Sequence, residues 1–288
     1  MNNQSTPLTG SVMVVGGGIG GIQASLDLSA LGFKVYLVES SPIIGGKMAQ
    51  LDKTFPTNDC SMCILSPKMI EVNRDPNIDI LAYAELETVA GEAGDFTVTL
   101  QKKPRYVKAD LCTGCGTCST YCPVRIPDPF NEAISSTKAI HLLCSQSVPA
   151  VSTIDENHCL FLTEKKCKIC APVCKKGAID FTQTKEVITL NVGAIIVTTG
   201  YQIFDASLAG EYGYGRIKNV VNSLEYERIL NAAGPYQGEI MRPSDGKIPG
   251  KIAWIQCVGS RHHRFHPYCS SVCCAYAVKQ VILTKEHH

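Results

Sequence analysis

The sequence predicts an α/β fold, a Rossmann-like dinucleotide-binding domain interrupted by an inserted α+β module of ferredoxin type. Three observations carry that expectation. A glycine fingerprint lies near the N-terminus between an apolar strand and a helix, an apolar strand ending in Gly200 follows much later, and eight cysteines in ferredoxin-like spacing fall between the two.

The fingerprint is Gly16-x-Gly18-x-x-Gly21, set between a strand over Val12 to Val15 and a helix over Ile19 to Leu31, with a second strand ending in Glu39. Each glycine has its own physical reason: the first allows the tight turn, the second lets a pyrophosphate approach the backbone at the helix N-terminus, and the third permits close helix-sheet packing. The acid about 20 residues on accepts ribose hydroxyls. Gly16, Gly18, Ile19, Gly21, Glu39 and Ser40 are therefore candidate cofactor-binding residues. The stretch from Ser40 to Lys47, with Gly45 and Gly46, resembles the E-x5-G-G-[KR] extension of two-dinucleotide-binding flavoproteins, which implies FAD rather than NAD(P). Val192 to Gly200 is similar to the strand that closes the FAD-binding domain in those flavoproteins, and it adds Gly200 to the cofactor set. Between these signatures, residues 78 to 101 alternate as strands do around a Gly-Glu-Ala-Gly turn.

Cys112, Cys115, Cys118 and Cys122, followed by Pro123, spell C-x2-C-x2-C-x3-C-P. A cubane needs four converging thiolates; short C-x-x-C turns supply three, and the Cys before Pro serves the other cluster of a pair. Crossed ligation then assigns one cluster to Cys112, Cys115, Cys118 and Cys174, and another to Cys122, Cys159, Cys167 and Cys170. A pair of structural zinc sites is the alternative. The second half is less regular, with seven residues between Cys159 and Cys167 and Lys175 where Pro is usual. Cys144 lies in the segment separating the halves. That segment begins as an extended loop at Pro127 and Pro129, and its residues 131–143 read as a short amphipathic helix.

Twenty-seven basic against twenty-six acidic residues leave no charge excess that would draw nucleic acid or an anionic membrane. Fifteen cysteines, several of them in C-x-x-C groups, with no signal peptide, argue for metal ligation in a reducing cytoplasm rather than a disulfide framework. The apolar stretch from Val12 to Leu31 is broken by glycines and reads as strand, turn and helix, so no transmembrane segment is expected.

A helical stretch, NSLEYERILNAAG, precedes Lys251 to Cys257, which reads as the strand of a second strand-turn-helix unit lacking the glycine fingerprint. Cys269, Cys273 and Cys274 fall on the helix expected over residues 269–286, with 269 and 273 on one face. Cys257, Cys269, Cys273 and Cys274 either hold a third cluster or pack as small core residues. Cys60 and Cys63 form a further C-x-x-C, for which cluster ligation or a structural role beside the flavin ranks above a redox-active disulfide.

The GGGIGG turn, the segment from Asp59 through Cys60 and Cys63 to Met69, the cysteine-rich insertion and the Pro267 to Lys279 segment together resemble the HdrA family, the iron-sulfur flavoproteins of heterodisulfide reductase. The resemblance spans nearly the whole chain. It implies an oxidoreductase carrying FAD and [4Fe–4S] clusters, with the third cluster on Cys257, Cys269, Cys273 and Cys274. It further implies partner subunits of the same complex, ferredoxin or hydrogenase and dehydrogenase electron donors, and flavin-based bifurcation. Heterodisulfide cleavage itself belongs to another subunit in that family. The expected domains are an FAD domain over 1–102 and 181–235, an inserted two-cluster module over 103–180, and the start of a second dinucleotide-like domain over 236–288. Since the family is longer, the chain is expected to be a fragment or a split form. Competing readings are an NAD(P)H-dependent oxidoreductase like the glutamate synthase small subunit, and a non-catalytic electron wire.

Overall fold

The computed structural model describes residues 9–287; residues 1–8, part of the segment read for a signal peptide, and His288 lie outside the described residues. The chain divides into two compact units. One comprises residues 9–48 with Leu65–Ile126 and Ser136–Gly200; the other comprises Ala49–Ile64, Pro127–Ser135 and residues 201–287. The first thus holds both the glycine fingerprint and the ferredoxin-type cysteines.

In chain order the elements are β1 (Ser11–Val15), α1 (Ile19–Ala30), β2 (Lys34–Glu39), α2 (Ser61–Arg74), β3 (Ile78–Ala82), β4 (Ala84–Glu92) and β5 (Asp95–Lys102). Then come α3 (Thr117–Tyr121), β6 (Arg125–Pro127), β7 (Ser136–Lys138), β8 (Ile140–His141), β9 (Thr153–Ile154), α4 (Leu160–Glu164) and α5 (Cys170–Val173). The last are β10 (Glu186–Val192), β11 (Ala194–Val197), α6 (Ser223–Leu230) and α7 (Cys273–Glu286).

A four-stranded sheet in the order β11-β1-β2-β3 forms the centre of the first unit. The registered pairs β11-β1, β1-β2 and β2-β3 are all parallel. Met13, Val14, Val35 and Leu37 are fully buried, as central parallel strands covered on both faces require. A three-stranded antiparallel sheet, β10-β5-β4, follows the hairpin expected at Gly91 to Gly94. Its inner residues Val98, Leu100 and Val192 pack with Met13 and Val38 in one hydrophobic cluster.

The cysteine-rich segment folds around its own small core of Val107, Ile140, Val151, Ile154 and Ala178. Its ends lie side by side, with the Lys108 N–H donating to the Ala178 carbonyl at 2.7 Å and the Asp180 N–H to the Tyr106 carbonyl at 2.9 Å. Arg105 ties this segment to the loop after β2: its guanidinium donates to the Pro42 carbonyl at 2.5 Å and to the Thr153 hydroxyl at 3.1 Å. The amphipathic helix expected over residues 131–143 does not form. Short strands β7 and β8 take its place, because the Asp128 carboxylate accepts the Phe130 and Asn131 N–H groups and Glu132 and Ala133 adopt positive φ, which ends any helical run.

In the second unit α6 begins with a capping box, Asn222 accepting the Glu225 N–H while the Glu225 carboxylate accepts the Asn222 N–H. Lys279 of α7 and Glu227 of α6 form an ion pair at 2.7 Å with side chains 1% and 0% exposed. Such a pair is sustained only when its remaining donors and acceptors are used. Here Gln280 donates to Glu227 at 2.9 Å, Lys279 to the Lys53 carbonyl at 2.8 Å, and the Asp52 N–H to Glu227 at 3.0 Å. The strand expected over Lys251 to Cys257 is absent among the described residues, and α7 starts at Cys273 rather than 269. Ile252 and Trp254 pack on Tyr226 and Ile229 without a partner strand, and a positive φ of 66° at Ser271 blocks helix ahead of Cys273. Among the described residues no helix is long and apolar enough to cross a membrane.

Burial, followed by the charge of Glu227, raises the Asp52 carboxyl above its ordinary range. A raised folded-state pKa makes the ionised form costly at neutral pH, and this cost disappears once pH falls below the unfolded value of about 4. Asp52→Asn is therefore expected to raise the melting temperature at pH 7 and leave it unchanged near pH 3.5. Calorimetry at the two pH values checks this, and a fall at pH 7 would contradict it.

Candidate functional site

The turn between β1 and α1 is built by contacts that exclude side chains. Gly16 has φ +109°, and a Cβ there would overlap the Thr198 carbonyl; a Cβ on Gly21 would overlap the Gly16 carbonyl. Gly18 is different. It precedes α1 in extended conformation, provides no side-chain cap, and faces open space with nothing within 4 Å of where a Cβ would sit. The first-turn N–H groups, beginning at Ile19, are thus available to phosphate oxygens. Glu39 closes the turn from the other side, its carboxylate accepting the Gly17 and Ser41 N–H groups, each at 2.7 Å, and the Ser40 hydroxyl at 3.3 Å.

The second glycine pair packs onto the first. The Gly45 N–H donates to the Gly17 carbonyl at 2.7 Å, and a Cβ on Gly46 would lie 2.9 Å from the Gly18 Cα. Lys47 follows in a 3-10 turn, Gly46–Gln50. Gly200, with φ +72°, turns the chain just past β11. Thr198, which carries no role in the fingerprint reading, donates its hydroxyl to the Val15 and Gly16 carbonyls at 3.0 and 2.9 Å. The fit to a dinucleotide rests on this cradle: steric closure at Gly16 and Gly21, and open space at Gly18.

The ferredoxin-type thiols gather on the small core of their segment. Cys122, Cys159, Cys167 and Cys170 line one pocket whose other walls, including Ile140, Ile154 and Phe181, are apolar. Burial pushes the Cys170 thiol up to about 12, with Cys159 the next cause. Burial also raises the Cys118 thiol, to which the Cys112 and Cys115 thiols contribute. Cys115 is exposed, and hydrogen bonds from Thr117 lower its thiol. Cys174 packs against the same core, and its sulfur accepts the Ala178 N–H at 3.4 Å. Cys144 bonds locally to Ser147, whose hydroxyl receives its N–H at 3.1 Å.

In the second unit the neighbouring Cys273 thiol raises that of Cys274, and Cys257 and Cys269 add to the effect. Cys257 sits at φ +61° in a turn, and Cys269 lies ahead of α7, not on it. Cys60 and Cys63 are joined as a disulfide with Cα atoms 5.3 Å apart. Among the described residues no three Cys, His, Asp or Glu side chains close tightly enough to hold one metal ion.

A strand, a glycine turn onto a helix and a second strand ending in an acid define a dinucleotide-binding oxidoreductase domain. Residues 11–180 match the FAD dependent oxidoreductase family, and the chain belongs to that family. More particularly, it is similar to the HdrA subunits of heterodisulfide reductases, as the sequence resemblance implies. It is 50% identical to the HdrA subunit of the H(2):CoB-CoM heterodisulfide,ferredoxin reductase of Methanothermobacter marburgensis, over 95% of this chain and 41% of that protein. It is 50% identical to the HdrA iron-sulfur subunit of the CoB–CoM heterodisulfide reductase of Methanocaldococcus jannaschii, over 96% and 42%. To an HdrA iron-sulfur subunit of Methanopyrus kandleri it is 53% identical, over 98% and 42%. The chain thus spans about two fifths of the length of these relatives.

Gly18→Val is expected to abolish FAD binding while leaving the fold intact, because the branched side chain fills space that is open at that position. Flavin absorbance after reconstitution, alongside circular dichroism, checks both halves. Equal flavin in variant and parent would refute it.

Proposed function

We propose that this chain is the flavin and iron-sulfur portion of an electron-distributing subunit in a heterodisulfide-reductase-like complex. The observation that carries the reading is the pocket ringed by Cys122, Cys159, Cys167 and Cys170, in the same compact unit as the dinucleotide cradle. Bound FAD supplies exchange between electron pairs and single electrons, and [4Fe–4S] clusters accept electrons one at a time.

The residues have separate tasks. Gly16 and Gly21 bring the backbone close, Gly18 leaves room for the pyrophosphate, the α1 N-terminus offers N–H donors to it, and Glu39 orients the turn while presenting its carboxylate to the ribose. Ser40, Gly45, Gly46, Lys47 and Gly200 complete the cofactor surface. Cys112, Cys115, Cys118 and Cys174 hold one cluster of the inserted ferredoxin-like module, and the thiols of the pocket hold the other. The apolar walls restrict water at the cluster, and Lys138, donating to the Cys122 carbonyl at 2.6 Å, puts a cation beside it.

Cys257, Cys269, Cys273 and Cys274 are assigned a third cluster, supported by the family resemblance that the Pro267 to Lys279 segment carries. Cys257 stands where a glycine fingerprint for NAD(P) would otherwise follow the segment from Lys251, which favours this reading over the glutamate-synthase-like alternative, and the open space at Gly18 favours it over a flavin-free wire. The names of the relatives, with hydrogen, heterodisulfide and ferredoxin in the first, support a role in a complex with partner subunits. Splitting an electron pair between ferredoxin and disulfide reduction would be a property of that whole complex.

Anaerobic reconstitution followed by flavin and iron counts tests the reading. One FAD and at least two clusters, about eight iron atoms, are expected; zinc in place of iron, or rapid reduction by NADH alone, would overturn it. Cys115→Ser is expected to remove about four iron atoms and loosen the module, because crossed ligation ties its halves together. Replacing Cys273 and Cys274 with Ala should remove about four iron atoms while leaving the ferredoxin pair intact. Unchanged iron in that double variant would return these cysteines to core packing.

A further inference from the structure

Among the described residues Cys60 and Cys63 form the single disulfide, and thirteen other cysteines carry free thiols. We propose that this pair is a thiol–disulfide exchange site for low-molecular-weight thiols and disulfides, with Cys60 as the attacking sulfur. Four features of its surroundings point there.

Both cysteines are exposed, while Ser61 between them is fully buried. The Ser61 hydroxyl donates to the Leu51 carbonyl at 2.6 Å and its N–H to the Asp52 carbonyl at 3.2 Å. This inward anchor forces the flanking sulfurs outward. The loop ahead of them is pinned as well, by a bridge between Lys53 and Cys60 and by the Thr54 N–H donating to the Asp59 carbonyl at 2.8 Å. An exposed sulfur on a fixed loop is open to in-line attack by a small thiolate.

Cys60 immediately precedes α2, a helix of fourteen residues, and the Cys63 N–H donates to the Cys60 sulfur at 3.2 Å. A thiolate at Cys60 is thus favoured by a direct N–H donor and the positive end of the helix. No comparable donor to the Cys63 sulfur is part of this turn. The sulfurs are therefore not equivalent, and Cys60 is the better nucleophile and leaving group.

Pro67 stands four residues after Cys63 inside α2 and has no N–H for the Cys63 carbonyl. The first turn is thereby released from the ladder at the residue that must move between disulfide and dithiol. A cross-link spanning three positions, moreover, closes so short a loop that it restrains the unfolded chain little, which makes a purely stabilising role a poor explanation.

The chemistry balances without another cofactor. In the reduced form the Cys60 thiolate attacks a disulfide RSSR′, forming Cys60–S–S–R and releasing R′S⁻. The Cys63 thiolate then attacks the Cys60 sulfur, expels RS⁻ and restores the Cys60–Cys63 disulfide. Two protons pass to the leaving thiolates, giving RSH and R′SH. A small dithiol resets the site by the reverse exchange, losing two electrons and two protons as it becomes a disulfide. This inference stands apart from the proposed electron path through flavin and clusters.

The test uses the whole chain, reconstituted anaerobically and equilibrated with graded mixtures of reduced and oxidised dithiothreitol. Acid quenching, maleimide labelling and mass analysis of the peptide carrying both cysteines read its state. A reversible change from no label to two labels is expected. With oxidised glutathione, Cys63→Ser should accumulate one stable glutathione on Cys60, and Cys60→Ser should react at its remaining thiol at least about tenfold more slowly. A peptide that is unlabelled, or fully labelled, across the whole range would overturn the proposal, as would equal rates in the two variants. Loss of about four iron atoms from either variant would instead make the pair cluster ligands. Parent flavin and iron contents are measured in parallel, so failure of the exchange site and failure of the electron-transfer reading give different results.

Discussion

The contact between the glycine turn and Thr198 is the constraint on which the first unit depends. β1 lies between β2 and β11, yet β11 comes some 180 residues later in the chain. Thr198 holds that long-range closure at the point where β1 ends, through its hydroxyl on the Val15 and Gly16 carbonyls and through a backbone approach that only glycine at position 16 permits. Because Gly21 packs on the same Gly16 carbonyl, sheet closure and helix placement share one atom. The geometry that brings α1 to the sheet also aims its free N–H groups into the open space over Gly18.

That closure leaves the long stretch between β5 and β10 to fold on itself, and thiol burial shapes what it becomes. A half-buried thiol such as Cys170, held protonated far above neutral pH, contributes little as an apolar residue that a leucine would not do better. Gathering four thiols on one pocket fits the proposed cluster, since metal binding to deprotonated sulfur becomes folding energy. Cys115, exposed and lowered by Thr117, sits at the other extreme and presents a readily ionised thiol for ligation.

The second unit is organised by a polar constraint instead. Lys279 and Glu227 are almost wholly buried, and their further hydrogen bonds go to Gln280, Lys53 and Asp52. Such an ion pair is a weak source of stability but a strict specifier of position, because a shift of α7 along α6 would strand a charge. This fixes where α7 lies and, through it, the place of Cys273 and Cys274 at its start.

The glycine fingerprint, the acid at the end of β2 and the hairpin at Gly91 to Gly94 were legible because each rests on a local rule: a periodicity of two, a helical run, or a turn that only glycine can make. Cysteine spacing is local in the same way, the proposed cubane taking three of its ligands from one short stretch. Residues 131–143 and 251–257 misled because their patterns suit a helix and a strand. Side-chain turns at Asp128 and the lack of a partner strand beside Trp254 outweighed those preferences. By itself, then, the sequence determined the class of domain and the kinds of ligand its residues offer, which are properties of neighbours in the chain. Only the tertiary structure decided that Thr198 seals the turn and that Cys60 meets Cys63 as a disulfide. Those outcomes depend on side-chain direction, burial and, for the first, long-range closure, none of which residue spacing encodes.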